Sequence, residues 1–96
     1  MHQAAGFIEA EGFVPIFDAI DAMVKATSVT VTGTIRLGGG LVAAAVTGEL
    51  ATVEEAIQVG AEAARERSGA RVHSVIFASP AEPVAALAAH PQLLDA

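Results

Sequence analysis

The strongest constraint in the chain is a pair of apolar patterns separated by three consecutive glycines. Over residues 28–37, Val29, Val31, Gly33, Ile35 and Leu37 alternate with Thr30, Thr32, Thr34 and Arg36. A period of two marks a half-buried strand, here with a threonine-rich outer face. Gly38, Gly39 and Gly40 follow, and residues 41–46 are continuously apolar. An unbroken apolar run bounded by turn residues suits a central strand covered on both faces. A short glycine link between two such strands reads as a hairpin turn.

The flanking segments supply the remaining elements. Residues 4–9 read as a short strand centred on Phe7 and Ile8 and broken by Gly12. Phe13, Phe17, Ile20 and Val24 recur at helical spacing, so they share one face of a helix. Pro15 falls in the first turn, where its missing N–H costs nothing. Asp18 and Asp21 lie towards the start of this helix and Lys25 at its end, the sense that the helix dipole favours. Thr52 with Glu55 three positions on reads as a capping box. It opens a helix to about Ser68 whose inner face is Val53, Ala56, Ile57, Gly60 and Ala64. Gly69 ends it. Residues 71–78 read as a fourth strand, and residues 84–89 allow one or two turns of terminal helix before Pro91. The order β-α-β-β-α-β, with a tail at 84–96, gives an α/β (α+β) fold of ferredoxin-like type, two helices covering one face of an antiparallel sheet. With 96 residues the chain is expected to be one domain, 1–96.

Composition narrows function. The formal charge is −6, and the positive side chains number five: Lys25, Arg36, Arg65, Arg67 and Arg71. Nucleic-acid binding needs a basic face, so no such partner is expected. There is no cysteine, which excludes disulfides, thiolate metal sites and cysteine nucleophiles. No apolar run reaches the length of a membrane span, and residues 1–6 lack the character of a secretory leader, so no membrane partner and a cytoplasmic location are expected. His2, His73 and His90 are dispersed, and no metal site or cofactor is expected from them. Glu9, Glu11, Asp18 and Asp21 include an i, i+3 pair but no accompanying nucleophile, so a solvated face, or for Asp21 a structural contact, is the better reading and no catalytic residue is assigned. The hydrophobic fraction is 53% with 4% aromatic. A small domain this apolar and this poor in aromatics has reason to hide surface against copies of itself.

Four stretches carry a resemblance: residues 6–9 (GFIE), 19–26 (AIDAMVKA), 36–42 (RLGGGLV) and 47–50 (TGEL). In this order they resemble the hexameric, single-domain type of bacterial microcompartment shell protein, over roughly residues 4–83. The resemblance implies a non-enzymatic subunit that forms cyclic hexamers tiling edge to edge into a shell. The implied partners are copies of itself, other shell proteins, enclosed enzymes and small metabolites. It also implies a central pore lined by Gly38, Gly39 and Gly40, flanked by Arg36 and Leu37, and an edge contact made by Lys25. Many relatives carry Ser where this chain has Gly39, which implies a wider opening lined by backbone. Relatives often carry an edge arginine where this chain has Ser79, so the contact between tiles is altered there. Arg36 beside a ring of backbone N–H groups would favour small anionic or polar metabolites. Two other classes stay open on the residues alone: a ferredoxin-like metabolite-binding regulator and an enzyme. The first would need charged ligand-binding loop residues and the second a nucleophile–base or metal constellation.

Overall fold

The computed structural model describes residues 3–94. Its elements are β1 (Ala4–Glu11), α1 (Phe13–Ala26), β2 (Thr30–Gly38), β3 (Leu41–Gly48), α2 (Leu50–Ser68), β4 (Val72–Phe77), α3 (Glu82–Ala89) and a final 3-10 turn, Pro91–Leu94. The four strands form one sheet in the order β2-β3-β1-β4, with every neighbouring pair antiparallel. This is the expected ferredoxin-like arrangement.

Two layers pack on the sheet. α1 and α2 lie together on one face over a core of Ile8, Ala10, Ile16, Ala19, Met23, Val42, Val46, Val53, Ala56 and Ile57. Small residues let these layers approach closely. A Cβ on Gly6 would stand 2.9 Å from Ile57, and one on Gly60 would stand 2.8 Å from Met23. The other face is half covered by the tail. The Thr32 hydroxyl donates to the Ala88 carbonyl and stands 3.1 Å from the Ala45 carbonyl, and Pro91 packs over Gly33. The continuously apolar run of β3 is thereby buried on both sides, from Val42 to Val46.

Three sequence expectations need correction. Thr52 and Glu55 form no capping box. α2 begins at Leu50, its N-cap is Glu49, and no side chain caps it. Thr32 is not on an outer face. A bulge between Val31 and Gly33 breaks the alternation of β2 and turns Thr32 towards the tail. The terminal helix is also longer than expected, because it begins at Glu82 with a proline in its first turn.

α1 is amphipathic in an unusual sense. Its core face is Ile16, Ala19 and Met23, fully buried. The stripe that shares the spacing 13, 17, 24 faces out: Phe17 is 57% exposed and Val24 50%. Phe13 and Phe17 stack on each other, ring centres 5.5 Å apart, on that outer face. Thr27 closes the helix. Its N–H and hydroxyl both donate to the Met23 carbonyl, at 3.0 and 2.8 Å. Because Met23 is wholly buried between the two helices, Met23→Ala is expected to destabilise the subunit by about 2–5 kcal/mol, read as a lower denaturant midpoint.

Candidate functional site: a glycine hairpin and an opposite charged end

Residues 38–41 turn the chain from β2 into β3. Gly38 pairs with Leu41, leaving Gly39 and Gly40 as a two-residue loop. Both central residues have positive φ, 62° and 83°, as hairpins of primed type require, and Gly38 stands at 93°. A Cβ at any of the three would meet nothing within 4 Å. Backbone conformation, not crowding inside the subunit, therefore demands glycine here. The loop is pinned: the Gly12 N–H donates to the Gly40 carbonyl at 2.8 Å. Arg36 and Leu37 flank the hairpin and are exposed. Arg36 stands in register with Val42, Ala10 and Val72, on the helix-covered side of the sheet at its far edge.

Lys25 and Ser79 lie at the other end. β1 runs from Ala4 to Glu11, and Glu11 pairs with Leu41 beside the hairpin. α1 starts at Phe13, next to that hairpin, and its 14 residues carry the chain back about 20 Å. Lys25 is in its last turn. β4 ends at Phe77, and Ala5 at the start of β1 faces it, so exposed Ser79 follows at the same end. The hairpin and the Lys25–Ser79 end thus occupy opposite ends of a slab measuring 36 × 32 × 16 Å.

Four charged side chains of the helical layer form one cluster. Lys25 Nζ is 3.1 Å and Arg67 Nη1 3.3 Å from the same oxygen, Asp21 Oδ2. Arg67 also lies 3.9 Å from Asp18, and the Ser68 hydroxyl donates to Asp18 at 2.6 Å. The cluster ties α1 to the C-terminal turn of α2. The hydrogen bond from Lys25, then that from Arg67, holds the Asp21 carboxyl below its ordinary value of 3.8. Its stabilising contribution is present above the carboxylate range and is lost as pH falls through that lowered value. Sequence reading left Asp18 and Asp21 on a solvated face, or Asp21 in a structural contact. The signal that finds this contact is the basic end of α2, but only the fold shows that the two helices run side by side.

The remaining candidates do not converge. His73 Nδ1 is 3.7 Å from Glu9 on the less covered face of the sheet, and His90 is exposed behind α3. His2 lies outside the described residues. Among the described residues no three metal-binding side chains gather. A shallow groove of about 400 Å³ beside His73 is mostly apolar, lined by Phe7, Leu37, Ala43 and Val75 with Glu9 at its rim. A broader cleft of about 990 Å³ at the hairpin end carries Glu11, Asp18, Arg67 and Arg71. Within the broader cleft the Ser68 hydroxyl donates to Asp18. Among the described residues no helix is long and apolar enough to cross a membrane.

The hairpin geometry gives a direct test. Gly39→Asn, which tolerates positive φ, is expected to keep stability near that of the parent. Gly39→Val is expected to lose about 1–2 kcal/mol in chemical denaturation. Equal losses would mean that the loop does not hold this conformation.

Comparison with known proteins agrees with the fold. Residues 4–80 match the BMC domain family. The carboxysome shell protein CcmK2 of Synechocystis is 40% identical over 83 residues, covering 85% of this chain and 81% of that protein. The major carboxysome shell protein CsoS1A of Halothiobacillus neapolitanus is 43% identical over 82 residues, covering 76% and 83%. A crystal structure of a microcompartment protein from Desulfitobacterium hafniense superposes with a TM-score of 0.75 at 28% identity. It covers 88% of this chain, which spans about half of that longer protein, 47%. With most of its length inside this match, the chain belongs to the BMC domain family, the shell proteins of bacterial microcompartments.

Proposed function

We propose that the subunit, as a single shell domain, forms a cyclic hexamer that tiles into a microcompartment facet. In this reading the Gly38–Gly39–Gly40 hairpins meet at the six-fold axis and Lys25 and Ser79 lie at the perimeter. The observation that carries it is the placement of these two groups at opposite ends of one thin slab. A ring subunit needs one end for the axis and another for its neighbours in the layer. The exposed apolar stripe of α1, with Phe17 and Val24 at least half exposed, supplies surface for copies to cover.

At the axis, the hairpins themselves present backbone, with Arg36 and Leu37 flanking them and Glu11 beside them. Six copies of Arg36 would raise the positive potential around the opening and favour small anionic or polar metabolites. The carboxysome relatives support a shell of that general kind, enclosing enzymes and shared with other shell proteins. At the perimeter, Ser79 offers a single hydroxyl where a guanidinium would offer a planar fork. Lys25 is then the principal charged edge contact.

Native mass spectrometry is expected to give a hexamer, and electron microscopy at high protein concentration is expected to show flat layers or tubes. A monomer or dimer under the same conditions would contradict the proposal. Lys25→Ala is expected to leave the hexamer intact and reduce layer formation. Layers unchanged by that substitution would remove Lys25 from the edge.

A further inference from the structure

We propose that Glu11 and Arg36 give the two mouths of the opening opposite charge, which makes Glu11 a specificity-determining residue. This rests on the reading of the Gly38–Gly39–Gly40 hairpins as the lining of a six-fold opening.

The two side chains leave the sheet in opposite directions. Arg36 is in register with Val42, a core residue beneath the helices, so it points to the helix-covered side. Glu11 follows Phe7 and Glu9 at every second position of β1, whose pairing with β3 runs unbroken from Ala4 to Glu11, so it points to the tail side. Glu11 also stands nearer the hairpin tip. It is level with Leu41 where Arg36 is level with Val42, a step of about 3 Å along the strand. The bond from the Gly12 N–H to the Gly40 carbonyl, 2.8 Å long, fixes this end of β1 against the hairpin. Both side chains are exposed. Among the described residues neither makes an ion pair, so both charges are left for the opening to feel.

The surroundings keep the two signs apart. On the helix side α1 opens beside the hairpin with no acidic residue in its first turn and no side-chain cap, so its partial positive charge adds to that of Arg36. Asp18 on that layer is offset by Arg67, 3.9 Å away. On the tail side Glu9 stands two residues behind Glu11, with His73 3.7 Å from it. Arg71 lines the same cleft as Glu11 without pairing with it, and β1 separates β4 from the hairpin strands.

In a ring of six, one mouth carries six guanidinium groups and the other six carboxylates, across the 16 Å dimension of the slab. An anion drawn in at the Arg36 mouth is repelled at the Glu11 mouth. A cation meets the reverse. Neutral and zwitterionic polar molecules cross both at the least cost, which narrows the class of metabolite to these.

The test is ionic current through assembled layers laid over a solid-state aperture, with unequal potassium chloride on the two sides. Each variant is checked first as a hexamer by native mass. Salt is kept at or below about 0.1 M, where charges act over about 10 Å or more. The parent is expected to pass potassium and chloride about equally, since the two rings oppose each other. Glu11→Gln is expected to favour chloride and Arg36→Gln potassium, each roughly three-fold or more. Glu11→Ala is expected to act as Glu11→Gln does, and Glu11→Gln/Arg36→Gln to restore equal passage. Both preferences are expected to fade towards about 1 M salt. An ion ratio unchanged by Glu11→Gln, or loss of the hexamer in both Glu11 variants, would overturn the proposal. Gly39→Asn tests the opening itself, and is expected to lower the conductance by narrowing it. Conductance indifferent to Gly39→Asn would remove the pore reading. Conductance lowered by Gly39→Asn, with an ion ratio indifferent to Glu11→Gln, would overturn the charge proposal alone.

Discussion

One backbone hydrogen bond, from the Gly12 N–H to the Gly40 carbonyl, decides where the ends of this subunit lie. It joins the exit of β1 to the β2–β3 hairpin, so α1 departs from the hairpin and must run back along the sheet. The bond needs unusual backbone at both partners. Gly12 has φ 81° and Gly40 83°, which other residues adopt only at a cost. From that junction the rest follows: Lys25 arrives a helix length away, and α2 returns beside α1 in the opposite sense. A side-chain-free tip at one end and Lys25 at the other are consequences of one turn being tied to another.

The thinness of the slab has a separate cause, the choice of small residues between layers. Gly6 lies beneath Ile57 and Val53, Gly60 opposes Met23, and the sheet beneath the helices sets Ala4, Ala10 and Ala44 among Ile8, Val42 and Val46. Such packing gives little core per subunit, and large apolar side chains are left outside on α1. A small domain that buries so much alanine and exposes two stacked phenylalanines is suited to stability gained through its copies.

Much of this was legible in the sequence, for identifiable reasons. The β2–β3 pair was plain because period-two alternation, a glycine link and an unbroken apolar run are each strong local signals. The end of α2 at Gly69 was plain because a left-handed glycine cap is local chemistry. The pore candidates Gly38, Gly39 and Gly40, and Lys25, stood out through the ordered motifs of the family rather than through spacing alone. What was not legible depended on distant partners. The bulge that turns Thr32 inwards answers to Ala88, far along the chain. The helical stripe containing Phe13 and Phe17 was visible as a stripe, but only the packing of Ile16 and Met23 shows which face meets the core. Thr52 and Glu55 matched a capping pattern that Glu49 and Leu50 pre-empt. Asp21 stood between a solvated face and a structural contact until α2 brought Arg67 beside it.

The account stands or falls on the direction in which the slab points within its assembly. Cryo-electron microscopy of the assembled layer, at a resolution that traces the backbone, measures it directly. The expected map has six hairpins, each turning at Gly39, around a central opening, with Lys25 and Ser79 on the line between neighbouring hexamers. A map with the hairpins at the perimeter, or with Lys25 facing the axis, would contradict the account.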